Sequence, residues 1–378
     1  MQRREFLALS SAFVSGALFP DSIWADTPHD VDWLASVTRP PEKLLAPDRP
    51  LAPLLADAQG QPITTWKGWE VERQRLLQAW LDFLGPMPAK RPAVKLEVLD
   101  RSLVESPTGE SCQRELVRYL AEDDELVEGY LLRPVSKQQK QRPAIVALHQ
   151  TSRQNIAEIA DIEVQKPDNQ NLGFLLCQQG FVVFCPRCYL WETPPEYNID
   201  VKSTVERFHQ RHPKTIGMHK MLFDAQRAVD VLVSLPEVDP QRIGAVGHSL
   251  GAKEVLYLTA FDERVKTGVA SEGGIAFSST NWQDPWYLGA GIKSPDFKLN
   301  HHQVLALIAP RPFLVLAGES GAGAADGDRS WPYVAEAQRV YRLHQDRVRL
   351  GLLNHHQGHS IPRGVLVKLI EWLKTYTA

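Results

Sequence analysis

Gly247-His248-Ser249-Leu250-Gly251 sets a serine between two glycines in the spacing G-x-S-x-G. The apolar run Arg242 to Val246 precedes it, and a run of helical character from Leu250 to Phe261 follows. At a strand-to-helix junction, paired glycines allow a turn sharp enough to hold the serine in an unfavourable backbone conformation with its hydroxyl exposed. The chemistry this suits is attack on a carbonyl carbon. The first N–H groups of the following helix, beginning with Leu250, would face the negative charge that develops on the carbonyl oxygen.

A serine hydroxyl is a weak nucleophile at neutral pH and needs a base within hydrogen-bond reach. In this arrangement the base comes last in chain order, after the final strand. Asn354-His355-His356-Gln357-Gly358-His359-Ser360 occupies that position, between an apolar run at 348–353 and a C-terminal helix. Gly358 permits a turn that swings the next ring toward Ser249, so His359 is the expected base, with His355 and His356 as polar loop residues. A carboxylate must then orient the imidazole. Glu272, directly after an apolar run at 265–270, and Asp326 or Asp328, in a glycine-rich loop after 312–317, are all open to that role. A second oxyanion donor is expected from the backbone N–H of Gln150 or Thr151, after the apolar run Pro143 to Leu148, whereas His149 reads as structural.

Those residues need a frame to bring them together. From residue 94 short β-like runs (94–104, 114–120, 126–133) lead into alternating strands and helices. Strands are expected at 143–148, 181–185, 242–246, 265–270, 312–317 and 348–353. Helices are expected at 171–179, 218–235, 250–261, 304–308, 333–343 and 365–376. Unbroken apolar strands between amphipathic helices describe an α/β chain with a mostly parallel sheet covered on both faces. Residues 26–90 form a Pro-rich extension with helical spacing over Trp66 to Leu84, stopped by Gly85-Pro86. Residues 91–378 form the main domain, with 275–300 as an insertion that would roof the site and that carries Trp282 and Trp286 as flat aromatic faces.

The chain has 378 residues, 43% hydrophobic and 23% charged, with a formal charge of −3. This is the balance of a globular protein and excludes a disordered or fibrous one. Near neutrality argues against nucleic acid or an electrostatic membrane anchor as partner. Arg3 and Arg4 precede an apolar stretch at 6–19 that is too short to span a bilayer, so residues 1–25 read as a twin-arginine export signal and the mature protein as periplasmic or secreted. Cys185 and Cys188 are spaced as a redox dithiol or half a zinc site, but no second half accompanies them, and with Cys112 and Cys177 they read as structural thiols or a local disulfide. His301-His302 lacks the carboxylate spacing of a metal site. Neither metal nor cofactor is expected, and the oligomeric state is not legible.

These motifs together resemble an α/β-hydrolase over residues 94–378. More narrowly, Ala260-Phe261-Asp262-Glu263-Arg264, then Glu272, and the segment His302 to Pro312 are similar to glucuronoyl esterases and the acetyl xylan esterase and dienelactone hydrolase-like group around them. The resemblance implies Glu272 as the acid and Lys253, four residues past the serine, as a contact for substrate hydroxyls. It implies no cofactor and a carboxylic ester of a carbohydrate, acetyl or uronoyl, as substrate, with a small lactone or aryl ester next and a non-catalytic carbohydrate binder as the competing class. Where those enzymes carry arginine after the nucleophile this chain has Leu250, which offers only its backbone N–H.

Overall fold

A computed structural model describes residues 29–106, 109–135, 141–152, 155–162, 170–191, 201–344 and 347–378. The proposed export signal lies outside them. After a short helix α1 (Leu34–Val37) and the long α2 (Trp66–Leu84), the chain enters nine strands. These are β1 (Glu97–Val104), β2 (Cys112–Glu122), β3 (Glu125–Pro134), β4 (Arg142–Leu148), β5 (Val182–Pro186), β6 (Val238–His248), β7 (Val265–Ser271), β8 (Phe313–Ala317) and β9 (Leu350–Asn354). The interleaved helices are α3 (Ile156–Ile159), α4 (Leu172–Cys177), α5 (Val201–Arg211), α6 (Gly217–Val233), α7 (Leu250–Phe261), α8 (His301–Ile308), α9 (Trp331–Tyr341) and α10 (Arg363–Tyr376).

One sheet runs β1-β2-β3-β5-β4-β6-β7-β8-β9. The meander β1 to β3 is antiparallel, as is β3 against β5, and every pair from β4 onward is parallel. Parallel pairs need crossover connections, which the helices supply. The central strands are apolar throughout because both their faces are covered: on β4, Ala144, Val146 and Leu148 join one core cluster while Ile145 and Ala147 join the other. Burial on both faces removes the alternation expected of a half-exposed strand. β5 and β6 lie on opposite sides of β4, so the order of strands reverses there. A crevice opens at the carboxyl ends of strands that flank such a reversal.

α2 has the bounds expected for it. The Thr65 side chain caps its start by accepting from the Gly68 N–H at 3.2 Å, and Gly85, at φ 83°, ends it. Leu54, Trp69, Leu76, Trp80 and Leu84 share a core cluster with Leu250 and Val255, so the extension packs into the body of the fold. The short α1 and α3 are absent from the sequence reading, and two longer elements also differ from it. α5 is not apparent in the pattern because only Val201, Val205 and Phe208 give it an apolar stripe. α8 begins at His301, three residues before its apolar run, because Asn300 and Gln303 form a reciprocal capping box.

Candidate active site

β6 and α7 meet at Ser249, whose φ of 57° and ψ of −115° are unfavourable for a side chain. A Cβ at Gly247 would collide with the backbone of Gly251, and one at Gly251 with the Leu148 carbonyl of β4. Both glycines are therefore required by close approach, since a side chain at Gly247 would push the start of α7 off β6 and one at Gly251 would push it off β4. The turn is tied to the next strand by the Ser249 N–H, which donates to the Ser271 carbonyl at 2.7 Å. One strand further, the Glu272 N–H donates to Leu316 at 3.0 Å, and beyond that the His355 N–H donates to Ala317 at 2.8 Å. The parallel ladder thus delivers the ends of β6, β7 and β9 to one rim.

At this rim His359 Nδ1 lies 3.5 Å from Glu272 Oε2. The Glu272 side chain has no exposed surface, and that of His359 is 26% exposed. The Glu272 carboxylate also accepts from the backbone N–H groups of Gly318 and, at 2.7 Å, Ala325. Burial pushes its pKa up, and the charge of Asp326 adds to this, while His359 and the Ala325 N–H pull it down. The His359 ring stands 4.5 Å, centre to centre, from that of His248, the residue before the serine. His248 Nδ1 is 3.0 Å from the Ser271 hydroxyl, and burial holds this imidazole neutral with a pKa pushed down to about 3.

The other two carboxylates are engaged elsewhere. Asp326 accepts from the N–H groups of Gly274 and Ile275, both at 2.8 Å, and from the Ser330 hydroxyl at 2.5 Å. Asp328 accepts from the Asn354 side chain at 2.9 Å. His356 pairs with Glu319 at 2.6 Å, and His355 Nδ1 accepts from the Gln357 N–H at 3.2 Å.

The Leu250 N–H opens α7, where the first amides of a helix have no intrahelical acceptor. Gln150 and Thr151 follow β4, whose Leu148 pairs with Gly247. Gln150 is buried, with its side chain donating to Gln170 at 2.9 Å, and Thr151 is exposed. His149 Nε2 accepts the Cys188 N–H at 3.0 Å, so Nδ1 carries the hydrogen and donates to the Gln150 carbonyl at 2.8 Å. Burial pushes its pKa down to about 4. This neutral imidazole braces the backbone of the β4 loop.

Two expected substrate contacts are placed otherwise. Trp282 is wholly buried, with its indole N–H donating to the Gly274 carbonyl at 2.6 Å and its edge against His301, so it has no free face for a ligand. The insertion carries it inward because Trp282, Tyr287, Leu288 and Ile292 all join the core. Lys253 is likewise buried, and its ammonium is turned inward to Gly273 and Thr280. Trp286 is half-buried and remains at the surface. His301 is held by the Ile275 carbonyl and the Tyr257 hydroxyl, and His302 by the Ala52 carbonyl. Among the described residues no three His, Cys, Asp or Glu side chains are grouped to hold a metal ion. The four cysteines are free, buried thiols. The clamp made by Asp326 and the contact of His248 with His359 carry no sequence signal, because each depends on residues that only the sheet brings together.

The strand order, the crossovers and the strained serine between β6 and α7 define an α/β-hydrolase fold. Residues 127–295 match the dienelactone hydrolase family, a stretch that includes Ser249 and Glu272 and ends before His359. No curated protein matches the chain. Among solved structures it is similar to a glucuronoyl esterase of Solibacter usitatus, with a TM-score of 0.71 and 18% identity over 87% of this chain and 98% of that one. A family 15 glucuronoyl esterase of Teredinibacter turnerae gives 0.68 and 21% over 87% and 89%. The glucuronoyl esterase catalytic domain of Hypocrea jecorina gives 0.56 and 15% over 90% and 92%. At these identities the likeness is one of fold. No helix among the described residues is long and apolar enough to cross a membrane.

Proposed function

We propose that this chain is a serine-dependent ester hydrolase acting on esterified carbohydrate. The observation that carries the reading is the buried Glu272 carboxylate at 3.5 Å from His359, on the rim where the strained Ser249 turn emerges. In the reaction, His359 takes the Ser249 hydroxyl proton as Oγ attacks the ester carbonyl, and the carbonyl electron pair moves onto its oxygen. The N–H of Leu250, with that of Gln150 or Thr151, holds this oxyanion. Collapse expels the alcohol, which takes the proton from His359 and leaves an acyl-serine. Water then repeats the sequence and releases the acid. Glu272 holds the His359 tautomer and stabilises the imidazolium. Catalytic hydrogen bonds are often long in the unliganded state, and the 3.5 Å contact would tighten as charge develops on His359.

Support for a carbohydrate ester comes from the similar structures, which are glucuronoyl esterases, and from the motif around Ala260 to Arg264. The dienelactone hydrolase match favours a second reading, hydrolysis of a small lactone. Arg3-Arg4 before the apolar stretch supports export to the periplasm or beyond. A fluorophosphonate probe tests the serine: labelling of the wild type but not of Ser249→Ala is expected, and no labelling of either would overturn the enzyme. Acetylated sugars, methyl glucuronate and a dienelactone, offered side by side, decide the ester class.

A further inference from the structure

Lys253 is buried on α7, one turn past Ser249. Its side-chain nitrogen donates to the Gly273 carbonyl at 2.5 Å and to the Thr280 hydroxyl at 2.7 Å. It also lies 4.7 Å from the ring centre of Trp282 and 5.2 Å from that of Tyr287. Asp326 and Asp284 are the carboxylates that act on it, and among the described residues neither is in ion-pair contact. Removing an ammonium from water without a paired carboxylate is unfavourable. Burial accordingly pulls its pKa down to about 7. An apolar side chain of the same length would fill this space at lower cost, so the retained lysine needs a reason.

The reason lies in what it grips. Gly273 directly follows Glu272, which has φ 60°, in the left-handed region where a side-chain-bearing residue persists only if its surroundings over-determine it. Lys253 and Asp326 hold this turn. Lys253 takes the Gly273 carbonyl, and Asp326 takes the next two N–H groups, those of Gly274 and Ile275. From this turn the Glu272 carboxylate reaches the N–H groups of Gly318 and Ala325 and the His359 ring.

We propose that Lys253 is a positioning residue that acts through Glu272, fixing the turn that presents the carboxylate to His359. The inference rests on the triad reading above. Lys253→Met keeps the length and the packing beneath Trp282 and Tyr287 but removes the donor. Hydrolysis of p-nitrophenyl acetate and methyl glucuronate by the folded variant should show kcat reduced about 10²-fold with KM unchanged, the loss typical of a misplaced catalytic group. The acidic limb of kcat/KM should move to lower pH, because an imidazolium whose anion has shifted is less stable. In a Glu272→Gln background the same substitution should add little, since it acts through the group already removed. A raised KM with kcat intact, or losses that multiply in the double variant, would overturn the proposal while leaving the triad in place. Full activity of Glu272→Gln alone would overturn the triad and this inference together. If Lys253→Met does not fold, Thr280→Val loosens the same grip, and a pH limb that stays put in that variant overturns the proposal equally.

Discussion

Lys220 on α6 and Lys253 on the neighbouring α7 are both buried, yet their surroundings are opposite in kind. Lys220 Nζ has three carboxylates in ion-pair contact, Glu122 at 3.1 Å and Glu125 and Asp224 at 2.7 Å each. Burial works against its charge, but the three anions outweigh burial and push its pKa up. Glu122 and Glu125 flank the β2–β3 turn, so the cluster pins the antiparallel meander to α6. Lys253 meets a carbonyl, a hydroxyl and two rings, and its pKa falls. A compensated buried charge ties elements together, whereas an uncompensated one marks a place where backbone geometry matters more than stability. Variants should therefore separate the molecule into a rim whose changes affect turnover and a meander cluster whose changes affect folding.

The sharpest separation is expected at Ser249→Ala, where hydrolysis should fall by about 10⁶-fold with the melting temperature nearly unchanged. A variant that keeps more than a trace of esterase activity would break the assignment of chemistry to this rim. Glu272→Gln should lower turnover by about 10⁴-fold, with Asp326→Asn far milder. Collapse of the Asp326 variant alone would move the orienting role to that carboxylate.

On the other side of the comparison, Lys220→Met leaves three carboxylates buried together and should destabilise the fold by roughly 3–5 kcal/mol in chemical denaturation. Activity per folded molecule should stay at the wild-type level, and a drop in it would erase the distinction between the two regions. Glu254 lies between them on α7, facing Cys188 and feeling the charge of Asp224. Burial pushes its pKa up to about 8 from 4.5, so between these values the folded state holds a proton that the unfolded state releases. Stability from this residue is thus complete below pH 4.5 and lost as pH rises toward 8, at about 1.4 kcal/mol per pH unit crossed. Unfolding free energies of wild type and Glu254→Gln, measured from pH 4.5 to 8, should therefore shift against the wild type. A constant difference would show that this carboxyl is ionised in the fold.

Elements with strong apolar periodicity were legible from the chain alone. Trp66 to Leu84 was marked by its apolar spacing and stopped by Gly85-Pro86, and the central strands by their unbroken apolar runs. Polar elements were not. α5 carries too few apolar residues to stand out, and α8 starts on a capping box rather than on its apolar face. At the rim the same division holds. The serine turn is encoded locally, because its two glycines answer to contacts within a few residues and with one neighbouring strand. Which way Trp282 and Lys253 face was hidden, because a tryptophan suits either a core or a ligand and a lysine normally ends in water.

What the chain determined by itself is the class of architecture and the strand–serine–helix junction, since these follow from short-range periodicity and from where glycine alone fits. What only the tertiary structure decided is which carboxylate faces His359 and what the buried lysine grips. Glu272, Asp326 and Asp328 are alike in type and in local setting. They are told apart by the donors that the parallel sheet and its loops bring to each carboxylate, backbone N–H groups for Glu272 and Asp326 and the Asn354 side chain for Asp328, and that is a property of segments far apart in sequence.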